Sequence, residues 1–278
     1  KEHSSHRKNI DIAYYRGEPQ LAVDLLVSTV SYAESLFKEQ ALRFAVTTNG
    51  TLITKEIADY LYRKRFRMTV SIDGPEQIHD KYRKDAGGNG SFKLASLGLR
   101  NLINAYGDEA GKLIRLNMVY TPPFSGDQLQ CISELWKELP WLPTTVKARI
   151  GYPSPGTIPK EDLENNPTRE DGDCIQWTYS EYVKSLIVKR KVHPIAASLI
   201  EQNLAQLLRR PIYDEPFDKY YLNGCCIPAV RRLYVSVSGT FHVCEKIATS
   251  APTIGSVYTG LDLGALKKIY IDEFDRLS

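Results

Sequence analysis

The sequence predicts an α/β protein built on parallel strands. Three observations carry that expectation: short apolar runs alternate with longer helical patterns, the loops between them are short, and five strand-then-helix units follow one another from Ile10 to Ile150. Ile10 to Tyr15 reads as a strand, followed by a helix from about Leu21 to Phe37. Leu42 to Thr48 is a second strand, after which Thr54 caps a helix whose Ile57, Ala58 and Leu61 share one face. Met68 to Ile72 makes a third strand. A charged stretch and a Gly-Gly-Asn-Gly loop then lead to a helix from Ser91 to about Tyr106. The strand Leu113 to Tyr120, a helix from Gln128 to Leu139 and the strand Val146 to Ile150 complete the series. Right-handed crossovers return the chain to the same sheet edge, so the strands are expected to run parallel under a cover of helices.

Beyond Ile150 the texture changes. Residues 151 to 173 are Pro- and Gly-containing, then acidic and polar, and read as an exposed linker. Two helical patterns follow, Cys174 to Arg190 and Pro194 to Arg210, the second directing Leu199, Leu204, Leu207 and Leu208 to a core. Leu233 to Val237, a Ser238-Gly239 turn and Thr240 to Cys244 read as a β-hairpin. The expected divisions are 1–150, 151–220 and 221–278.

Composition excludes several classes. With 278 residues, 42% hydrophobic and 25% charged, the chain can bury a sizeable core. No stretch approaches the roughly 18 uninterrupted apolar residues of a membrane helix; even Leu21 to Phe37 is broken by Asp24 and Glu34. The opening Lys-Glu-His-Ser-Ser-His has no signal-peptide pattern. A net charge of +3 is too mild to imply nucleic acid, and Arg63-Lys64-Arg65 reads as a solvated helix end. Five irregularly spaced cysteines argue against a disulfide framework, so a reducing, cytoplasmic location is expected.

In parallel sheets ligands gather at the carboxyl ends of strands. Those ends are polar and glycine-bearing here: Arg16-Gly17-Glu18-Pro19, then Thr47-Thr48-Asn49-Gly50-Thr51, then Ser71-Ile72-Asp73-Gly74-Pro75. Each alone is an ordinary turn. Three in succession point to a site for a polar small molecule.

Together they resemble the radical S-adenosylmethionine (radical SAM) enzymes with SPASM extensions, a family that includes anaerobic sulfatase-maturing enzymes and peptide maturases. Gly17-Glu18-Pro19 is similar to the family's Gly-Gly-Glu-Pro motif, with Arg16 in place of the first glycine. Thr48 to Thr51 resembles its Thr-Asn-Gly-Thr, and Ser71 to Gly74 its Ser-Ile-Asp-Gly. The resemblance implies that the backbone at Gly17 receives the amino group of S-adenosylmethionine and that Ser71 stands at the ribose. It also implies that Arg83, twelve residues beyond Ser71, contacts the cofactor. Glu18, Pro19, Thr48, Asn49 and Asp73 complete the implied cofactor site. Charge-assisted bonds from an arginine and a hydroxyl that both donates and accepts suit a zwitterionic ligand.

The cysteines carry a second resemblance. Cys226, twelve residues, Gly239, four residues and Cys244 match the opening of a SPASM or twitch extension, and Cys225 fits nearly as well. The resemblance makes Cys225 or Cys226, with Cys244, ligands of an auxiliary 4Fe-4S cluster. A second reading joins His242 and Cys244 to one of the adjacent cysteines in a structural zinc site of a non-catalytic, peptide-binding scaffold. Cys131 and Cys174 sit in helical patterns and read as structural; His3 and His6 lie at the terminus.

What the resemblance implies is a partial (β/α)6 radical SAM-type barrel lacking its first strand, followed by helices and a shortened SPASM-like hairpin tail. The intact protein would bind S-adenosylmethionine and 4Fe-4S clusters. It would abstract a hydrogen atom from a peptide or protein substrate through a 5′-deoxyadenosyl radical. The family's catalytic cluster needs a cysteine-x-x-x-cysteine-x-x-cysteine motif upstream of the Gly-Glu-Pro strand, and none of the five cysteines has that spacing. These residues are therefore expected to be catalytically incompetent alone, and the exposed edge at Ile10 to Tyr15 to pair two copies into a dimer. No nucleic-acid or membrane partner is expected.

Overall fold

The computed structural model describes residues 8–15, 17–153, 156–165, 171–209, 232–244 and 252–269. Arg16, His3, His6, Cys225 and Cys226 lie outside them, and with them the notions built on those residues. The chain divides into two compact units, Lys1–Arg210 and Pro211–Ser278.

The first unit is a five-stranded, wholly parallel sheet in sequence order: β1 (Asn9–Tyr14), β2 (Ala41–Thr48), β3 (Arg67–Ser71), β4 (Ile114–Val119) and β5 (Lys147–Gly151). The expected α/β class and all five strands are present. Between β1 and β2 a short 3-10 turn, Pro19–Ala22, leads into α1 (Val23–Leu36). The next crossover is α2 (Lys55–Arg63), which starts where the Thr54 hydroxyl accepts the Ile57 amide at 3.3 Å. The charged stretch after β3 is itself a helix, α3 (Glu76–Tyr82), entered through Pro75. Its apolar side chains, Ile78 and Tyr82, are too few to establish a periodicity.

Helix α4 (Phe92–Tyr106) and the single turn α5 (Ala110–Leu113) bring the chain to β4. The helix expected over Gln128 to Leu139 is two, α6 (Gly126–Ser133) and α7 (Leu135–Glu138). At the break the Ser133 hydroxyl donates to the Gln130 carbonyl at 2.6 Å, competing with the helical ladder. The expected linker holds α8 (Lys160–Glu164), and α9 (Asp171–Ile187) and α10 (Pro194–Arg209) follow.

Every strand alternates. Phe44, Val46, Met68, Val70, Leu116, Met118 and Ala148 are buried against the helices, where Phe66 stacks on Phe44 with ring centroids 5.2 Å apart. The intervening residues, among them Asp11, Arg43, Thr47, Thr69, Ser71, Arg115, Asn117 and Arg149, are exposed or half-exposed. A parallel sheet covered on both faces would be apolar on both. This one has a polar face, so that side is not covered by helices among the described residues.

In the second unit β6 (Tyr234–Val235) pairs antiparallel with β7 (Phe241–His242), as expected. A further hairpin, β8 (Gly255–Ser256) with β9 (Gly260–Leu261), and a last turn of helix, α11 (Leu263–Lys267), were not legible in the sequence. Among the described residues no helix is long and apolar enough to cross a membrane.

Candidate functional site

The carboxyl ends of β1 and β2 are tied together by Glu18. Its Oε1 accepts the Thr48 hydroxyl at 2.7 Å and its Oε2 the Asn49 amide at 2.8 Å. Thr48, buried at the end of β2, in turn accepts the Gly50 amide at 2.8 Å. Asn49 closes the turn by accepting the Thr51 amide and hydroxyl at 2.9 and 2.8 Å. Gly17 has φ +61°, a left-handed conformation that side chains other than glycine's resist, and its Cβ direction is open. Glu18 and Pro19 thus form a rigid lip, with Pro19 starting the 3-10 turn and Glu18 capping it at the Gln20 amide, 3.4 Å away.

The end of β3 holds a second network. Asp73 is buried, and its carboxylate accepts Arg83 Nε at 2.5 Å and Nη2 at 3.0 Å, and the Val119 amide of β4 at 2.9 Å. Arg83 Nη1 makes no hydrogen bond among the described residues. The Asp73 amide donates to His79 Nδ1 at 3.3 Å, so the ring proton sits on Nε2, which faces the Ser91 hydroxyl at 3.0 Å. Ser91 donates onward to the Arg83 carbonyl at 3.1 Å. Burial lowers the His79 pKa to about 4, against a smaller opposing pull from Asp73. The imidazole is therefore neutral, as its accepting Nδ1 requires.

Ser71, the last residue of β3, is half-buried, and its hydroxyl makes no hydrogen bond among the described residues. Register places it beside Asn117 of β4, and Asn117 beside Arg149 of β5. Hydroxyl, amide and guanidinium thus form one row on the polar face, just below the Asp73 network. Such a row suits a ligand with ribose hydroxyls and a carboxylate. Sequence reading missed His79, Ser91, Asn117 and Arg149. The last two were findable by parity, since they fall in phase with the polar positions of their strands.

Cys244 is half-buried, just past β7. His242 is buried, with Nε2 3.1 Å from the Thr240 hydroxyl and Nδ1 lacking a partner among the described residues. Cys131 and Cys174 lie on α6 and α9, and no group of three metal-ligating side chains exists among the described residues.

No family model matches the chain. Among curated proteins it is 30% identical over 112 residues to the cysteine-type anaerobic sulfatase-maturating enzyme of Clostridium novyi (strain NT), covering 40% of this chain and 30% of that one. It is 38% identical over 72 residues to the serine-type enzyme of Bacteroides thetaiotaomicron, covering 26% and 17%. A third relative, the Fe-coproporphyrin III synthase of Methanosarcina barkeri, is 36% identical over 91 residues, 32% of this chain and 21% of that one. The chain therefore spans less than a third of the length of the curated relatives it matches. Among solved structures, native anSMEcpe with bound AdoMet superposes at TM-score 0.67 and 17% identity, over 96% of this chain and 68% of that one. The same protein with bound AdoMet and Cp18Cys peptide gives 0.67 at 18%, over 98% and 70%. Over part of its length this chain is thus similar in sequence to anaerobic sulfatase-maturating enzymes, and its fold is similar to that of anSMEcpe.

Proposed function

We propose that the strand ends of the first unit bind S-adenosylmethionine and that the protein belongs to a radical SAM machine modifying a peptide or protein. The observation that carries this reading is the row Ser71, Asn117, Arg149 beneath two pre-formed networks, Glu18 with Thr48 and Asn49, and Asp73 with Arg83. Gly17 and Pro19 shape the lip at which the cofactor's amino group would sit. Ser71 would meet the ribose, and the Nη1 of Arg83 is available to a carboxylate. Bound beside a reduced iron–sulfur cluster, the cofactor would supply a 5′-deoxyadenosyl radical. The protein residues named here bind and orient it rather than react. A peptide substrate fits the relatives, since two anSMEcpe structures carry the peptides Cp18Cys and Kp18Cys. In this reading residues 1–150 form the barrel, 151–220 the connecting helices, and 221–278 a SPASM-like region in which Cys225 or Cys226 and Cys244 hold an auxiliary 4Fe-4S cluster.

None of the cysteines at 131, 174, 225, 226 and 244 has the spacing that would leave one iron open to the cofactor. These 278 residues by themselves are therefore expected not to cleave S-adenosylmethionine. Equilibrium dialysis is expected to show binding that weakens roughly tenfold in Ser71→Ala, the worth of a hydrogen bond. Anaerobic reconstitution with iron, sulfide and reductant is expected to yield no 5′-deoxyadenosine. Binding indifferent to Ser71, or stoichiometric product, would sink the proposal.

The buried Nδ1 of His242, two residues from Cys244 and without a partner among the described residues, favours one alternative, a structural zinc site. Metal analysis and the visible spectrum of anaerobically prepared protein separate zinc from iron–sulfur. β1 pairs only with β2 among the described residues, so edge pairing of two copies remains part of the proposal, tested by sedimentation.

A further inference from the structure

The polar face of the sheet carries its charge in a pattern. Register sets out four rows on that face: Asp11 with Arg43; Ala13, Ala45 and Arg67; Thr47, Thr69, Arg115 and Lys147; then Ser71, Asn117 and Arg149. Arg43, Arg67, Arg115 and Arg149 therefore climb the face as a diagonal, each one strand over and one row up from the last. Adjacent strands lie about 4.8 Å apart and two residues rise about 6.6 Å, so successive arginines stand roughly 8 Å apart.

All four are exposed. Arg43 pairs with Asp11 at 2.5 Å, and the neighbouring Lys147 with Glu201 at 2.5 Å. Arg67, Arg115 and Arg149 make no ion pair among the described residues, and Arg115 stands directly beside Lys147. Like charges opposite one another destabilise a sheet unless an anion lies between them.

We infer that this ladder binds a peptide segment bearing acidic side chains at alternate positions, and that it leads that segment to the row of Ser71. The inference deepens the proposed function by naming the substrate class, and rests on it. An extended peptide presents every second side chain on one side about 6.6 to 7 Å apart, close to the step of the ladder. Guanidinium groups take carboxylates as two-point partners. Single-stranded nucleic acid fits less well, because it needs a series of aromatic platforms and none of the strand residues on this face is aromatic; only the exposed Tyr15, just past β1, is in phase with it among the described residues. The upper end of the diagonal, Arg149, shares its row with Ser71, so a bound segment would be delivered to the strand ends.

The test uses fluorescence anisotropy with the 278-residue chain and labelled peptides of equal length. Alternating Gly-Glu is expected to bind roughly tenfold more tightly than alternating Gly-Gln, and several-fold more tightly than a peptide of the same composition with its glutamates in adjacent pairs. Arg115→Gln with Arg149→Gln should lose about tenfold, whereas Lys55→Gln with Lys112→Gln, exposed on helices, should lose almost nothing. Equal affinity for alternating and paired glutamates overturns the inference. So does equal loss in the two double variants, or a labelled oligothymidylate that binds through the same arginines more tightly than the acidic peptide. Cofactor binding is measured on the same preparations. Peptide selectivity without S-adenosylmethionine binding refutes the proposed function alone, and cofactor binding without peptide selectivity refutes the inference alone.

Discussion

Asp73 and Arg83 form a two-point ion pair, Nε to Oδ2 at 2.5 Å and Nη2 to Oδ1 at 3.0 Å, in which the carboxylate is 4% exposed and the guanidinium 27%. The pair joins the end of β3 to the residue that caps α3, and through the Val119 amide to β4. Removing the cation strands a buried carboxylate. Arg83→Leu is expected to cost about 3 kcal/mol in urea unfolding, and adding Asp73→Asn to recover part of that. Equal stability of Arg83→Leu and wild type would show that the pair does not secure this corner.

His79 makes the same corner sensitive to acid. Its folded pKa, about 4, lies below the unfolded value of 6.5, so the unfolded chain binds the extra proton between those limits. Its contribution is fully present above pH 6.5 and falls as pH drops toward 4, by about 3 kcal/mol in all. The charged groups that act on it are Asp73 and Asp80, which favour protonation, and Arg83, which opposes it. In His79→Gln the slope of stability against pH between 6.5 and 4 should flatten relative to wild type, measured by urea midpoints. A parallel slope in the two proteins would exclude this role.

Gly98 of α4 lies where the Thr48-to-Thr51 turn meets the helix, and a Cβ there would overlap the Gly50 carbonyl oxygen. Backbone cannot swing aside as a side chain can. Gly98→Ala is expected to lower stability by about 1 to 3 kcal/mol despite alanine's better helix propensity, and to weaken cofactor binding through the displaced turn. Calorimetry and dialysis read the two effects; a stabilised variant would contradict the close approach.

Thr48 both donates to Glu18 and accepts from Gly50 while being almost fully buried. Valine keeps its shape and removes both bonds. Thr48→Val is expected to cost about 1 to 3 kcal/mol, since the Gly50 amide loses its acceptor and Glu18 Oε1 keeps only the Gln20 amide. Thr48→Ser should retain most of the stability, and loss of equal size in both variants would assign the effect to packing instead.

The sequence by itself determined the parallel α/β order, because apolar runs of strand length alternate with amphipathic helices. It also pointed to the loops of the proposed site, since Gly17-Glu18-Pro19, Thr48 to Thr51 and Ser71 to Gly74 are local motifs. The short helix α3 and the division of α6 from α7 escaped it: two apolar residues in seven carry too little pattern, and a serine back-bond leaves none. Only the tertiary structure decided that Arg83 is held by Asp73, that His79 and Ser91 stand behind them, and that Asn117 and Arg149 share a row with Ser71. Those relationships join residues from separate strands and helices. Their partners are set by sheet register and crossover packing, which depend on how whole elements align rather than on any short stretch of chain.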